Sequence, residues 1–198
     1  MTEQLLRAAL ADESLVFQKS SDWGAGQRHQ LRLAMADHAR LLAPGDTVES
    51  ISNLEALPTH PRIFFSASHA TGMGGFLASL NRPIGFDIET LNRVSEAIAS
   101  RIASAGEHGA PSPTALWCAK EAAFKCFANA GIKGLVSLAS VYTEGWTQER
   151  AVYRCEARVR DSNGQRSARG LFYAESMYGF CFFSLKPNLR QAQGELVR

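Results

Sequence analysis

The spacing of apolar positions along this chain changes several times, and each change marks a new element. Residues 3–11 suit a short amphipathic helix. Over residues 26–42, Leu31, Ala34, Met35, His38 and Leu42 recur at steps of three and four, which predicts a helix with one side turned inward. Pro44 and Gly45 stop it, and the turn formers that crowd residues 44–61 predict a loop. From residue 62 the period becomes that of strands. Residues 62–68 form the first candidate, and after a glycine-rich turn at 72–75 residues 76–80 form the second. Asn81-Arg82 then leads into 83–89, so that these last two strands read as a hairpin ending in a pair of carboxylates.

Residues 93–104 are alanine-rich and helix-prone, and 106–113 break the pattern. Ser112 suits an N-cap and Pro113 the first helical position, opening a helix that runs to Gly131. Over 151–160 the odd positions Ala151, Tyr153, Cys155, Ala157 and Val159 are mainly apolar, while Arg154, Glu156, Arg158 and Arg160 alternate with them. Such alternation predicts a half-exposed antiparallel strand. Asn163-Gly164 marks a turn, and 168–176 and 179–185 flank another at Tyr178-Gly179. The order predicts an α+β fold of antiparallel sheets packed with helices, in two halves, 1–85 and 86–198, that meet near residues 85–90.

The bulk numbers narrow the function classes. A chain of 198 residues suits one domain or two fused halves. Its net charge of +2 does not argue for nucleic acid, and it is compatible with anionic ligands or acidic partner proteins. Cys118, Cys126, Cys155 and Cys181 form no Cys-x-x-Cys pair and no zinc spacing, so they read as reduced, mostly buried thiols. The N-terminal residues lack a signal peptide's basic start and apolar run, and no stretch is long enough to span a bilayer. A soluble, cytoplasmic protein is expected.

Candidate chemistry lies in three segments. In residues 84–89, IGFDIE, the strand period puts Asp87 and Glu89 on one face and Phe86 and Ile88 on the other, toward a core. Two close carboxylates repel unless a cation lies between them, and oxygen ligands suit Mg²⁺. Gly85 removes a side chain where a ligand could approach. Equally, the pair could be a solvated strand end. In residues 117–125, WCAKEAAFK, Trp117, Glu121 and Lys125 share a helix face, with Lys120 on an adjoining one. Glu121 and Lys125 are either a surface ion pair or a third metal carboxylate beside a cation for phosphate. In residues 66–70, SASHA, Ser68 and His69 can donate to a phosphate. The arginines between 150 and 169 suit a docking face for an acidic partner or a solvated strand face.

Taken in order, Ser68-His69, Gly85-x-Asp87-x-Glu89 and Trp117-x-x-Lys120-Glu121-Ala122-x-x-Lys125 resemble the 4'-phosphopantetheinyl transferase superfamily. The resemblance is closest to its larger, Sfp-like class and to the branch with Trp and Lys-Glu-Ala, and it covers roughly residues 62–130. It implies a pseudo-dimeric fold of two similar α/β halves, acting as a monomer with coenzyme A in the cleft between them. It also implies transfer of 4'-phosphopantetheine from coenzyme A to a serine of an apo acyl carrier protein or peptidyl carrier domain, with Mg²⁺ or Mn²⁺. Asp87, Glu89 and Glu121 match the metal ligands, and Glu121 also matches the base that takes the serine proton. Lys125 matches the lysine on the pyrophosphate, and Ser68 with His69 the pair that holds the nucleotide phosphates. Lys120 is implied as a further phosphate contact, and Trp117 as packing for the site. No partnership with nucleic acid or membrane is implied. The chain departs from the family at its Gly-Lys-Pro element: residues 52–65 contain no lysine, so Arg28, Arg32 or Arg62 would have to substitute. Ala70 stands where many relatives have serine, and the segment between Glu89 and Glu121 is short. An alternative of the same fold is a non-catalytic module that binds coenzyme A or a carrier protein. A phosphohydrolase built on the same acids would use water as acceptor instead of serine.

Overall fold

The computed structural model describes residues 3–21, 27–42, 62–162 and 164–186. The expected loop at 44–61 and Asn163 of the expected turn lie outside them. Among these residues the fold is α+β, with two antiparallel sheets packed against four helices. The elements run α1 (Glu3–Leu10), β1 (Val16–Ser20), α2 (Gln27–Leu42), β2 (Phe64–Ala70), β3 (Met73–Ser79), β4 (Ile84–Thr90), α3 (Glu96–Ile102) and α4 (Pro113–Asn129). Strands β5 (Tyr142–Glu149), β6 (Val152–Asp161), β7 (Gly164–Glu175) and β8 (Tyr178–Leu185) complete it. A three-stranded sheet has the order β1-β3-β2, and a five-stranded sheet the order β4-β8-β7-β6-β5.

Three apolar clusters stack these layers. Leu31, Met35 and Ala39 of α2 bury against Phe65, Phe76 and Ala78 on one face of the smaller sheet. The opposite face, together with Leu6 and Leu10 of α1, packs on Ile84, Phe86, Ile88, Phe180 and Phe182 of the larger sheet. Helix α4 covers the far side of that larger sheet, through Ala115, Cys118, Ala119, Ala122 and Cys126 against Phe172, Cys181 and Phe183. All four cysteines are free and buried. The small side chains of α4 allow a close approach to β4. A Cβ on Gly85 would lie 1.8 Å from the Ala122 carbonyl oxygen, so Gly85 makes room for this helix and not for a ligand.

Two turns differ from the sequence reading. Strands β3 and β4 do not form a hairpin: β3 pairs with β2, and β4 crosses to the other sheet to pair with β8. Buried Asp12 holds that crossing, accepting hydrogen bonds from Ser14, Ser79 and the Asn81 side-chain amide. The β7–β8 turn falls at Ser176-Met177, with Ser176 at φ 57°, and Tyr178-Gly179 already belong to the strand.

Strands β2 and β4 lie side by side at the seam of the two sheets, joined by side chains. The Ser66 hydroxyl accepts from the Phe86 amide at 2.8 Å. The Asn129 amide of α4 donates to the Phe65 and Ile84 carbonyls, both at 2.8 Å. This seam aligns Ser68 with Asp87.

Candidate active site

Asp87 is the centre of the site. Strand alternation turns it and Glu89 toward α4, while Phe86 and Ile88 enter the core on the other face. Ser68 donates its hydroxyl to Asp87 Oδ1 at 2.8 Å, and the Lys125 ammonium donates to the same oxygen at 2.7 Å. Lys125 also reaches the Phe86 carbonyl at 3.2 Å. Asp87 Oδ2 is buried and has no hydrogen-bond partner among the described residues. Buried polar atoms are nearly always paired, so an orphan carboxylate oxygen points to an absent donor or cation.

Glu89 is buried two residues further along. It accepts from the Arg93 guanidinium at 2.6 Å and from the Trp117 indole. Burial and then the Asp87 charge push its carboxyl above the usual range, against the pull of Arg93. Glu121 is half-buried on α4, one turn before Lys125. Burial and the Asp87 charge raise it as well, while Lys125 and Arg93 pull it down. Both glutamates therefore sit within reach of the Asp87 charge.

Among the described residues, no three Asp, Glu, His or Cys side chains already close around an ion. The donor set nevertheless fits Mg²⁺, which needs only one or two carboxylates because it keeps several waters and shares substrate oxygens. Asp87 Oδ2 supplies one oxygen that nothing else satisfies.

Other expected residues lie elsewhere. His69 is exposed, one position beyond Ser68 on β2. Lys120 does not face the site. It is fully buried on the other side of α4, where it pairs with Glu107 at 2.7 Å and donates to the Val141 carbonyl. The reason is geometric: adjacent helix positions differ by about 100°, so Lys120 and Glu121 cannot share a face. Arg62 is exposed in a turn two residues before β2, at the end of that strand away from Ser68. The Arg28 side chain lies outside the described residues, as does most of 52–65. Arg93 was missed because a four-residue step brings side chains together in a helix, and here a turn does so instead. Asn92 takes φ 67° and folds Arg93 back onto Glu89. In the arginine-rich segment, Arg154, Arg158 and Arg166 pair with Glu149, Glu144 and Asp161.

The family model of the 4'-phosphopantetheinyl transferase superfamily matches residues 83–170, a span that holds Asp87, Glu89, Arg93, Glu121 and Lys125. Residues 83–170 are thus similar to the 4'-phosphopantetheinyl transferase superfamily. No curated protein matches the chain. This family match supports a transferase role and phosphopantetheine transfer in general. Both β4 and α4, the two elements that Gly85 and the α4 alanines bring together, lie within the matched span. None of the described helices is long and apolar enough to cross a membrane.

Proposed function

We propose that this chain, as a member of the two-half class, moves the 4'-phosphopantetheine group of coenzyme A onto a serine of an apo acyl or peptidyl carrier protein. One observation carries this reading: the α4 acid shares a neighbourhood with the strand acids, and Lys125 from the same helix face touches Asp87 at 2.7 Å.

Asp87, Glu89 and Glu121 are the residues that would hold Mg²⁺. When bound, the ion supplies charge neutralisation at the pyrophosphate and the leaving group. Lys125 and Arg93 are the cations for the diphosphate, and each now rests on a carboxylate. His69, exposed at the end of β2, is placed for the nucleotide phosphates, with coenzyme A between the two halves. Glu121 takes the proton of the carrier serine. Its raised carboxyl is suited to that role, because a base works best with a pKa nearer the working pH. The serine oxygen bonds to the pantetheine-bearing phosphorus, the bond from that phosphorus to 3',5'-ADP breaks, and 3',5'-ADP leaves. Such transfer depends mainly on positioning and electrostatics.

Release of 3',5'-ADP from coenzyme A, apo-carrier protein and millimolar Mg²⁺ tests this reading. Glu121→Gln is expected to lower kcat by about 10²- to 10⁴-fold, the usual worth of a positioned base. Binding of coenzyme A without turnover on any of several carriers would favour the non-catalytic module. Release of free phosphopantetheine with no carrier present would favour a phosphohydrolase.

A further inference from the structure

The two cations of the acid cluster are held differently. The Lys125 side chain is 28% exposed, and besides Asp87 it reaches the Phe86 carbonyl at 3.2 Å, so a second acceptor anchors it. The Arg93 side chain is 64% exposed, although the Glu89 carboxylate it meets at 2.6 Å belongs to a side chain only 8% exposed. The backbone beneath Arg93 is fixed. Asn92 takes φ 67°, the Arg93 amide donates to the Thr90 carbonyl at 3.2 Å, and Val94 is buried next to it. Release of the guanidinium therefore needs rotation about side-chain bonds alone, which is fast at an exposed position.

The two strand acids differ as well. Asp87 keeps Oδ2 without a hydrogen-bond partner among the described residues, so it can take up a cation while Lys125 stays on Oδ1. Glu89 already accepts from Arg93 through Oε2 and from the Trp117 indole, so a cation bound there competes with the guanidinium. Two positive groups on one carboxylate repel each other, and the repulsion is strong where burial limits screening. The charge of Arg93 is permanent, so it leaves Glu89 still charged. A planar guanidinium set free at the mouth of an acidic cluster matches phosphate oxygens in pairs.

We propose that Arg93 is an exchangeable counter-ion: it neutralises Glu89, yields that carboxylate to the divalent cation and turns its guanidinium to a phosphate of coenzyme A, so that cation and coenzyme A each tighten the binding of the other. This regulation of the site rests on the transferase reading given above.

Electron paramagnetic resonance titration of the full chain with Mn²⁺, alone and with saturating coenzyme A, tests it at mildly alkaline pH. For the unaltered chain, coenzyme A is expected to tighten Mn²⁺ binding about tenfold, and Mn²⁺ to tighten coenzyme A binding by the same factor. Arg93→Gln should tighten the binding of Mn²⁺ alone about three- to tenfold, the worth of one partly exposed ion pair. It should also lower the coupling several-fold, because the free arm is gone. Arg93→Lys keeps the charge and loses the fork, so it should leave the affinity for Mn²⁺ alone near that of the unaltered chain and still lower the coupling. This second variant carries the test if Arg93→Gln does not fold. Weaker or unchanged Mn²⁺ binding by Arg93→Gln would overturn the exchange and make Arg93 a fixed clamp on Glu89. Coupling that both variants leave intact would overturn it too. The transferase reading fails in a different way. An unaltered chain that binds neither Mn²⁺ nor coenzyme A removes both proposals. One that shows the Arg93-dependent coupling but releases no 3',5'-ADP with any carrier supports the exchange and removes the transfer.

Discussion

At the scale of single residues, the site depends on how one carboxylate is turned. Ser68 and Lys125 both donate to Asp87 Oδ1, which leaves Oδ2 buried and unpaired. In the proposed transferase, Ser68 is therefore a positioning residue for Asp87. Ser68→Ala is expected to weaken Mn²⁺ binding about three- to tenfold, the worth of roughly one hydrogen bond of about 1 kcal/mol. Electron paramagnetic resonance titration reads this directly. If Mn²⁺ affinity holds while coenzyme A affinity drops, Ser68 serves phosphate instead. The glutamates add a pH signature. Glu89 and Glu121 are raised by burial and by Asp87. The native protein then holds more protons than the unfolded chain between the ordinary glutamate value, about 4.3, and the raised one. Their contribution to stability is present below that window and is lost as pH rises through the raised pKa. A bound cation offsets the lost part, so thermal stabilisation by Mg²⁺ is expected to grow with pH across the window and to vanish near pH ~4. Melting curves at fixed Mg²⁺ check this, and a shift that ignores pH would argue against carboxylate ligation.

Among the elements, α4 carries two charge systems on two faces. One is the site. The other is Lys120 with Glu107, both almost fully buried. Glu107 also accepts from the Ser104 amide and from the Thr143 amide and hydroxyl, so it ties the segment before α4 to β5. Burial lowers the Lys120 pKa, and Glu107 opposes that shift. Lys120→Met strands the carboxylate and is expected to cost about 3–5 kcal/mol. Adding Glu107→Leu should recover part of that loss, and denaturant melts of the three variants measure the coupling. If Lys120 were instead a phosphate contact, its loss would alter coenzyme A affinity and leave stability unchanged. The helix itself was legible in sequence because its signals are local: the Ser112 side chain caps the Ala115 amide and Pro113 opens the first turn. Strand β6 was legible for the same reason, since buried Cys155, Ala157 and Val159 alternate with half-buried residues. Strands β1 and β5 were not. All five residues of β1 are half-buried, so no alternation marks it. β5 is a largely exposed edge strand, irregular between Glu144 and Thr147, with Gly145 at φ 65°.

For the whole molecule, what sequence could not convey is which strands become neighbours. The period of two placed Asp87 and Glu89 on one face, but it did not say that α4 would cover that face or that β2 would run beside β4. The expected β3–β4 hairpin failed for this reason. A short link looks alike whether it joins partners in one sheet or passes between sheets, and here the distant Asp12 decides by holding Ser79 and Asn81. The seam at β2 and β4 has the same character. Ser66 and Asn129 join the two strands where a main-chain ladder would otherwise do so, and Asn129 comes from α4, so one side chain ties the two sheets and the helix together. Asn129→Ala leaves two carbonyl oxygens to find new donors, and Ser66→Ala leaves one amide without its acceptor. Each is expected to cost about 1–3 kcal/mol. The two losses should exceed their sum in slowing turnover, because Ser68 meets Asp87 only while the seam holds its register. Hydrogen exchange gives the discriminating readout. If the seam sets the site, exchange in the double variant should rise first along β2 and β4 and spare the β6–β7 ladder. Uniform loosening would mean instead that the two sheets fold as one unit, held by the aromatic layer of Phe17, Phe86 and Phe182.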